Sequence, residues 1–153
     1  MFRPLAFLLL LAGLASAQTK ADFTGIWKQD NSKSTVRPGS TLQYSNKIEH
    51  QDPKLTVTTI LEGGDRPPSS YSRTYRTDGK PNESSDREGD KFTTTVKWEG
   101  KTLVFDTQEK ENTRTLTTAE TWTLSEDCKT LTKKRHTSGP RGDTDQTYVL
   151  QKQ

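Results

Sequence analysis

Turn-forming residues punctuate this chain at nearly even intervals. They fall at Asp30-Asn31, Pro38-Gly39, Asp52-Pro53, Gly63 to Pro68, Asp78-Gly79, Gly89-Asp90, Glu99-Gly100, Glu111-Asn112, Asp127-Cys128 and Ser138 to Gly142, mostly 9 to 13 residues apart. Gly supplies positive φ, Pro presets a turn, and Asn and Asp bond their own backbone, so each site interrupts an element. The intervals alternate with period 2: Phe92, Thr94, Val96 and Trp98 share one face, as do Leu116, Thr118, Glu120, Trp122 and Leu124. No stretch carries a helical period. Even turns with alternating intervals predict an all-β, antiparallel up-and-down meander of about eight to ten strands closed into a barrel, with an open sandwich as the alternative.

Met1 to Ala17 reads as a secretory signal peptide: Arg3 is the positive start, Leu5 to Leu14 is apolar, and Ala15-Ser16-Ala17 is a small-x-small cleavage site. The apolar run is too short to span a bilayer. The expectation is therefore one domain, residues 18–153, secreted or periplasmic after cleavage near Ala17, with no membrane insertion. Within that span Leu, Ile, Val and Phe number 19 of 136 residues, about 14%, which is below the roughly 20% where disorder becomes a serious prior. Yet 22 basic and 20 acidic side chains leave a net charge of only +2, and disorder also needs high net charge. The 25 Thr and 10 aromatic residues favour strands. This supply predicts a barrel with a thin core, an aromatic shell near one end and a Thr-lined space towards the other.

Cys128 is the single cysteine, so no intramolecular disulfide forms. Together with the short signal, this suits a bacterium. The charge is too balanced for a groove that tracks phosphates, which argues against a nucleic-acid partner.

A family resemblance enters at Phe23-Thr24-Gly25-Ile26-Trp27-Lys28. Gly-x-Trp on the first strand resembles the calycins (lipocalins, fatty-acid-binding proteins and avidins), in which the Trp closes one end of a β-barrel. The resemblance makes Gly25 and Trp27 the barrel closure and offers Lys152 as the basic side chain packed over the indole. Trp98-Glu99-Gly100-Lys101-Thr102-Leu103-Val104, Glu120-Thr121-Trp122-Thr123-Leu124-Ser125 and Lys129-Thr130-Leu131-Thr132 look like small exported bacterial proteins described as lipocalin-like, of unassigned activity. This likeness runs through most of residues 23–150. Where such proteins tend to carry Asp-Gly at the last hairpin tip, this chain has Asp127-Cys128. No lipocalin-type C-terminal helix is visible, and Asn31 to Ser40 has no apolar face from which to build the helical lid of fatty-acid-binding proteins.

The sharpest candidate chemistry is Tyr71, Arg73, Tyr75 and Thr77, which share one face by period 2. Two phenols flanking a guanidinium suit a carboxylate or other anion; the alternative is a solvent face. Glu120 sits on an apolar face, as a ligand contact or as a rim residue paired with Lys or Arg. Trp98 and Trp122 complete the expected contacts. His50 lies beside a turn and is expected to be exposed, and His136 follows three basic residues on an expected edge strand. Neither has ligands at metal spacing, no nucleophile elbow or phosphate loop occurs, and no cofactor is implied. The leading expectation is a non-enzymatic binder of a small ligand, anionic or amphipathic. The alternatives are a filled barrel acting as a structural or protein-interaction module of the envelope and, at lower weight, an enzyme using His50, Asp52 or Cys128.

Overall fold

The computed structural model describes residues 20–64, 67–86, 89–111 and 114–153, and all regular elements in them are antiparallel strands. In chain order they are β1 (Gly25–Gln29), β2 (Gln43–Gln51), β3 (Lys54–Glu62), β4 (Ser69–Arg76), β5 (Pro81–Ser85), β6 (Lys91–Glu99), β7 (Thr102–Glu111), β8 (Arg114–Leu124), β9 (Thr130–Ser138) and β10 (Thr144–Lys152). They form one sheet in the order β4-β3-β2-β1-β10-β9-β8-β7-β6-β5. Nine strand pairs line up this way, and one of them joins the chain's two ends: β1 meets β10, with Trp27 opposite Lys152. The sheet curls until β4 lies beside β5 and β6. The result is a nearly closed calycin-like barrel. The expected signal segment Met1 to Ala17 lies outside the described residues, as does Asn112 of the Glu111-Asn112 turn. No helix among the described residues is long and apolar enough to cross a membrane.

The alternation places side chains as the pattern requires. On β6 Phe92, Thr94 and Val96 are buried while Lys91 and Lys97 are exposed, and on β3 Leu55, Val57 and Thr59 point inward. Between β1 and β2, residues 31–42 form turns and irregular backbone, so no helix covers the open end.

The other end is plugged. Trp27 is fully buried and its Nε1 donates to the Phe23 carbonyl at 2.8 Å. Lys152 lies over the indole, with Nζ 5.3 Å from the ring centre. Gly25 makes this possible, because at its φ of +147° an added Cβ would sit 2.7 Å from Lys152 Cε. The Gly-x-Trp spacing therefore leaves room for a basic stem to lie along the indole. Beside it, Asp52 Oδ1 accepts from Thr77 Oγ1 at 2.5 Å and Trp98 Nε1 at 2.8 Å, and Oδ2 accepts from Lys20 Nζ at 2.6 Å. Burial opposes the Asp52 charge, but these three donors overcome it and hold the carboxyl at about 2.

Two expectations change here. The His50 side chain is only 4% exposed. It packs between Phe23 and Trp98 at centroid distances of 5.9 and 5.7 Å, because the turn after it folds into the plug. The strand carrying His136 is not an edge either, since β9 is paired on both sides by β8 and β10.

At the β8–β9 tip, Cys128 adopts φ +55°. Asp127 Oδ1 accepts from Ser125 Oγ at 2.6 Å and from Lys129 N at 3.1 Å, so local side chains hold a turn that glycine usually makes. Cys128→Gly should stabilise the fold by about 0.5–1 kcal/mol, the relief of left-handed strain less the entropy of glycine; a higher urea midpoint at unchanged m-value checks it. Gly25→Ala should cost about 1–3 kcal/mol in the same measurement, since it combines strained backbone with a clash against Lys152.

Candidate functional site

Above the plug the interior turns polar, and β8 and β9 make it so. Their inward positions include Glu120 and Trp122 on one strand and Lys133 and Arg135 on the other, paired Glu120 with Arg135 and Trp122 with Lys133. Glu120 is 7% exposed. Its Oε2 accepts from Arg135 Nε at 2.5 Å and its Oε1 accepts from Trp122 Nε1. Burial disfavours the Arg135 charge, but the Glu120 carboxylate and the nearby Tyr148 and Tyr44 phenols together outweigh that and raise its pKa.

Lys133 is fully enclosed. Its Nζ donates to Asn46 Oδ1 at 2.5 Å across the barrel and lies 3.7 Å from the Trp122 ring centre. Asn46 is itself held by donating to Thr59 Oγ1 at 3.1 Å. Among the described residues no carboxylate lies within salt-bridge distance of this ammonium, because Glu120 is turned to Arg135. Burial pushes the Lys133 pKa down to about 7, with Glu120 offsetting part of the effect. Tyr44 and Tyr148 stack at 5.7 Å near Arg135, and burial raises the pKa of both phenols.

These groups surround a cavity of about 70 Å³ lined by Tyr44, Val57, Thr59, Tyr71, Arg73, Tyr75, Glu120, Trp122, Lys133 and Arg135. Two larger spaces share lining residues with it. A mouth of about 700 Å³ at the open end shares Tyr44, Tyr71 and Arg135 with it. A slot of about 630 Å³ between β4 and β5 shares Tyr71, Arg73 and Tyr75. The slot exists because β4 and β5 form no ladder. At its foot the Asn82 carboxamide stands in for one: Oδ1 accepts from Arg76 N at 2.7 Å, and Nδ2 donates to Arg76 O at 3.2 Å and Thr94 O at 3.0 Å.

Five of the six expected contacts meet at this cavity. Tyr71 stands at the rim, half exposed. Arg73 lies over the Phe92 ring at 4.4 Å and the Tyr71 ring at 5.5 Å, and Tyr75 meets Phe105 edge-on at 5.7 Å. Glu120 and Trp122 form the opposite wall. Trp98 is elsewhere: it stacks at 6.0 Å on Phe23, whose carbonyl takes the Trp27 indole N–H in the plug. Thr77 also belongs to the plug, through Asp52.

Sequence reasoning missed Lys133, Arg135, Asn46, Tyr44 and Tyr148. The signal was present: Leu131, Lys133, Arg135 and Thr137 share a face by period 2, so Lys134 alone of the basic run faces out. Among the other groups weighed for chemistry, His50 and Asp52 build the plug, and Cys128 is exposed at a hairpin tip. His136 is exposed on the outer face, bonded to Asp145 at 2.8 Å. No group of three or more His, Cys, Asp or Glu among the described residues is placed to hold a metal ion.

No protein-family model matches this sequence, and no curated protein matches it. Solved structures do resemble the fold. Zebrafish ileal bile acid-binding protein, complexed with cholic acid, superposes with a TM-score of 0.62 at 16% identity, covering 86% of this chain and 98% of that one. Apo lipid binding protein 8 of Caenorhabditis elegans gives 0.63 at 10% identity, covering 86% and 95%. Secretory abundant heat soluble protein 4 from Ramazzottius varieornatus gives 0.59 at 13%, covering 90% and 99%. At these identities the likeness is one of fold.

Because Lys133 titrates near 7 in the barrel and at 10.5 ordinarily, the unfolded chain binds more protons between those values. Stability therefore rises with pH across that window. Lys133→Met should remove this rise. Between pH 7 and 9.5 the wild type should gain more than about 1 kcal/mol relative to the variant in urea denaturation.

Proposed function

We propose that the chain is exported after cleavage near Ala17 and acts, without catalysing a reaction, as a carrier of a small amphipathic anion held in the barrel. One observation carries this reading: the inner cavity is lined by Arg73, Lys133 and Arg135 against a single carboxylate, Glu120. Glu120 is already engaged by Arg135 and Trp122, so the remaining positive charge has no second carboxylate in the cavity lining. Buried cations without a counter-charge are costly, and an anionic head group supplies one. Arg73 and Arg135 would hold it by charge-assisted hydrogen bonds, with Tyr71 and Tyr75 beside them. The apolar body would lie in the mouth against Val36, Leu42 and Leu61. At about 700 Å³ the mouth lies within the roughly 300–1,000 Å³ usual for small-molecule sites. The likeness to bile-acid- and lipid-binding barrels supports the same reading by analogy of fold.

Export rests on Arg3, the apolar run to Leu14 and the Ala15-Ser16-Ala17 site, and the compartment we assign is a bacterial periplasm. Intact mass of the protein recovered from that fraction should correspond to a chain starting at Gln18.

Displacement of a fluorescent sulfonate probe, 1-anilinonaphthalene-8-sulfonate, tests the binding. Decanoate should displace it, and decan-1-ol should do so at least about tenfold more weakly; equal potency would overturn the anion reading. Arg73→Ala should weaken decanoate binding about tenfold or more, as expected for loss of a charge-assisted bond worth about 1.5–3 kcal/mol. Affinity for decanoate should rise as pH falls from 8 to 6, because Lys133, at about 7 in the free protein, takes up a proton beside the bound anion.

A further inference from the structure

In an anion carrier Lys133 contributes only positive charge, yet its position is that of a nucleophile. Lys133 lines the inner cavity, and its Nζ has the Trp122 ring at 3.7 Å and Asn46 Oδ1 at 2.5 Å. Asn46 is neutral, and the nearby carboxylate of Glu120 is bonded to Arg135 and Trp122. The Asn46 amide oxygen and the Trp122 face favour an ammonium here, but among the described residues no carboxylate lies within salt-bridge distance of this nitrogen, and none of the 13 other lysines of the sequence is buried as it is. Burial brings its pKa to about 7, so a free amine is well populated at neutral pH, the condition in which a lysine attacks a carbonyl.

We propose that Lys133 captures an amphipathic aldehyde reversibly, its Nζ forming an imine with the ligand's carbonyl carbon inside the barrel. This rests on the barrel holding a small amphipathic ligand, not on that ligand's charge, and names a second ligand class for the same cavity. The amine lone pair attacks the carbonyl carbon and the C=O π pair moves to oxygen. A proton passes from nitrogen to that oxygen, giving a carbinolamine. The C–O bond then breaks, water leaves through the mouth, and the nitrogen lone pair with loss of its last proton gives C=N. No electrons are gained or lost, and hydrolysis reverses the sequence. The cavity of about 70 Å³ suits a carbonyl and its first carbons, and the chain beyond follows the mouth. An aldehyde carries one carbon substituent on its carbonyl and a ketone two, so a cavity this small favours the aldehyde.

The experiment is incubation of the whole protein with one equivalent of decanal at pH 7, reduction with cyanoborohydride, intact mass and peptide mapping. A single adduct of decanal less one water, plus two hydrogens from the reduction, should map to Lys133 with at least about tenfold preference over any other lysine. Lys133→Arg, which keeps the charge but has no free amine, should lose that adduct. Mapping in the wild type locates the site even if the variant fails to fold. Adducts spread over surface lysines, or no reduced adduct at all, would overturn the proposal. Because decanoate displacement is read separately, a barrel that binds decanoate but forms no imine rejects the covalent step alone. An adduct at Lys133 without decanoate binding rejects the anion reading instead.

Discussion

Every strand of a closed barrel turns about half of its side chains inward, and this chain has only 19 Leu, Ile, Val and Phe after residue 17 with which to meet that demand. The shortage decides how the interior is divided. Apolar residues are concentrated at one end, where Phe23, Trp27, Leu55, Leu103, Leu131 and Leu150 are fully buried. Even there polar groups finish the packing, with Asp52 tying Lys20, Thr77 and the Trp98 indole together.

Further up, the interior is filled by side chains that reach across it. Lys133 joins β9 to β2 through Asn46, and Glu120 joins β8 to β9 through Arg135. Such contacts hold the barrel open as well as together. Long polar side chains must be solvated by one another, and their geometry leaves a small cavity where aliphatic side chains would have closed it. The cavity is basic because the same strands carry two inward cations to one inward carboxylate.

The two larger spaces beside that cavity also follow from local features. No helix forms over the mouth, since residues 31–42 lack an apolar face and remain turn and irregular backbone. The slot exists because β4 and β5 are edges bridged at their foot by the Asn82 amide. Arg73 therefore stands on an edge strand, opposite Lys133 and Arg135 on β9, which is paired on both sides. A site with one firm wall and one wall at a free edge can admit a ligand without unfolding the rest.

The fold was legible because its signals are local. Turn residues at short intervals and period-2 alternation give strands and their faces, and Gly25 two residues before Trp27 marks the closed end. The face of Tyr71, Arg73 and Tyr75, and that of Glu120 and Trp122, could be read the same way. Three adjacent basic residues hid Lys133 and Arg135, because a charged run looks solvated until period 2 is applied to it. What no local pattern could settle was which inward residues share a height in the barrel. Trp98 falls in the plug and Trp122 in the cavity, His50 is enclosed beside a turn, and Lys133 finds Asn46 from 87 residues away. Those outcomes depend on closure of β1 against β10 and on the stagger of ten strands around the barrel. Sequence alone determined the strands and which way each side chain points; the tertiary structure decided what each one meets, because meeting requires the curl of the whole sheet.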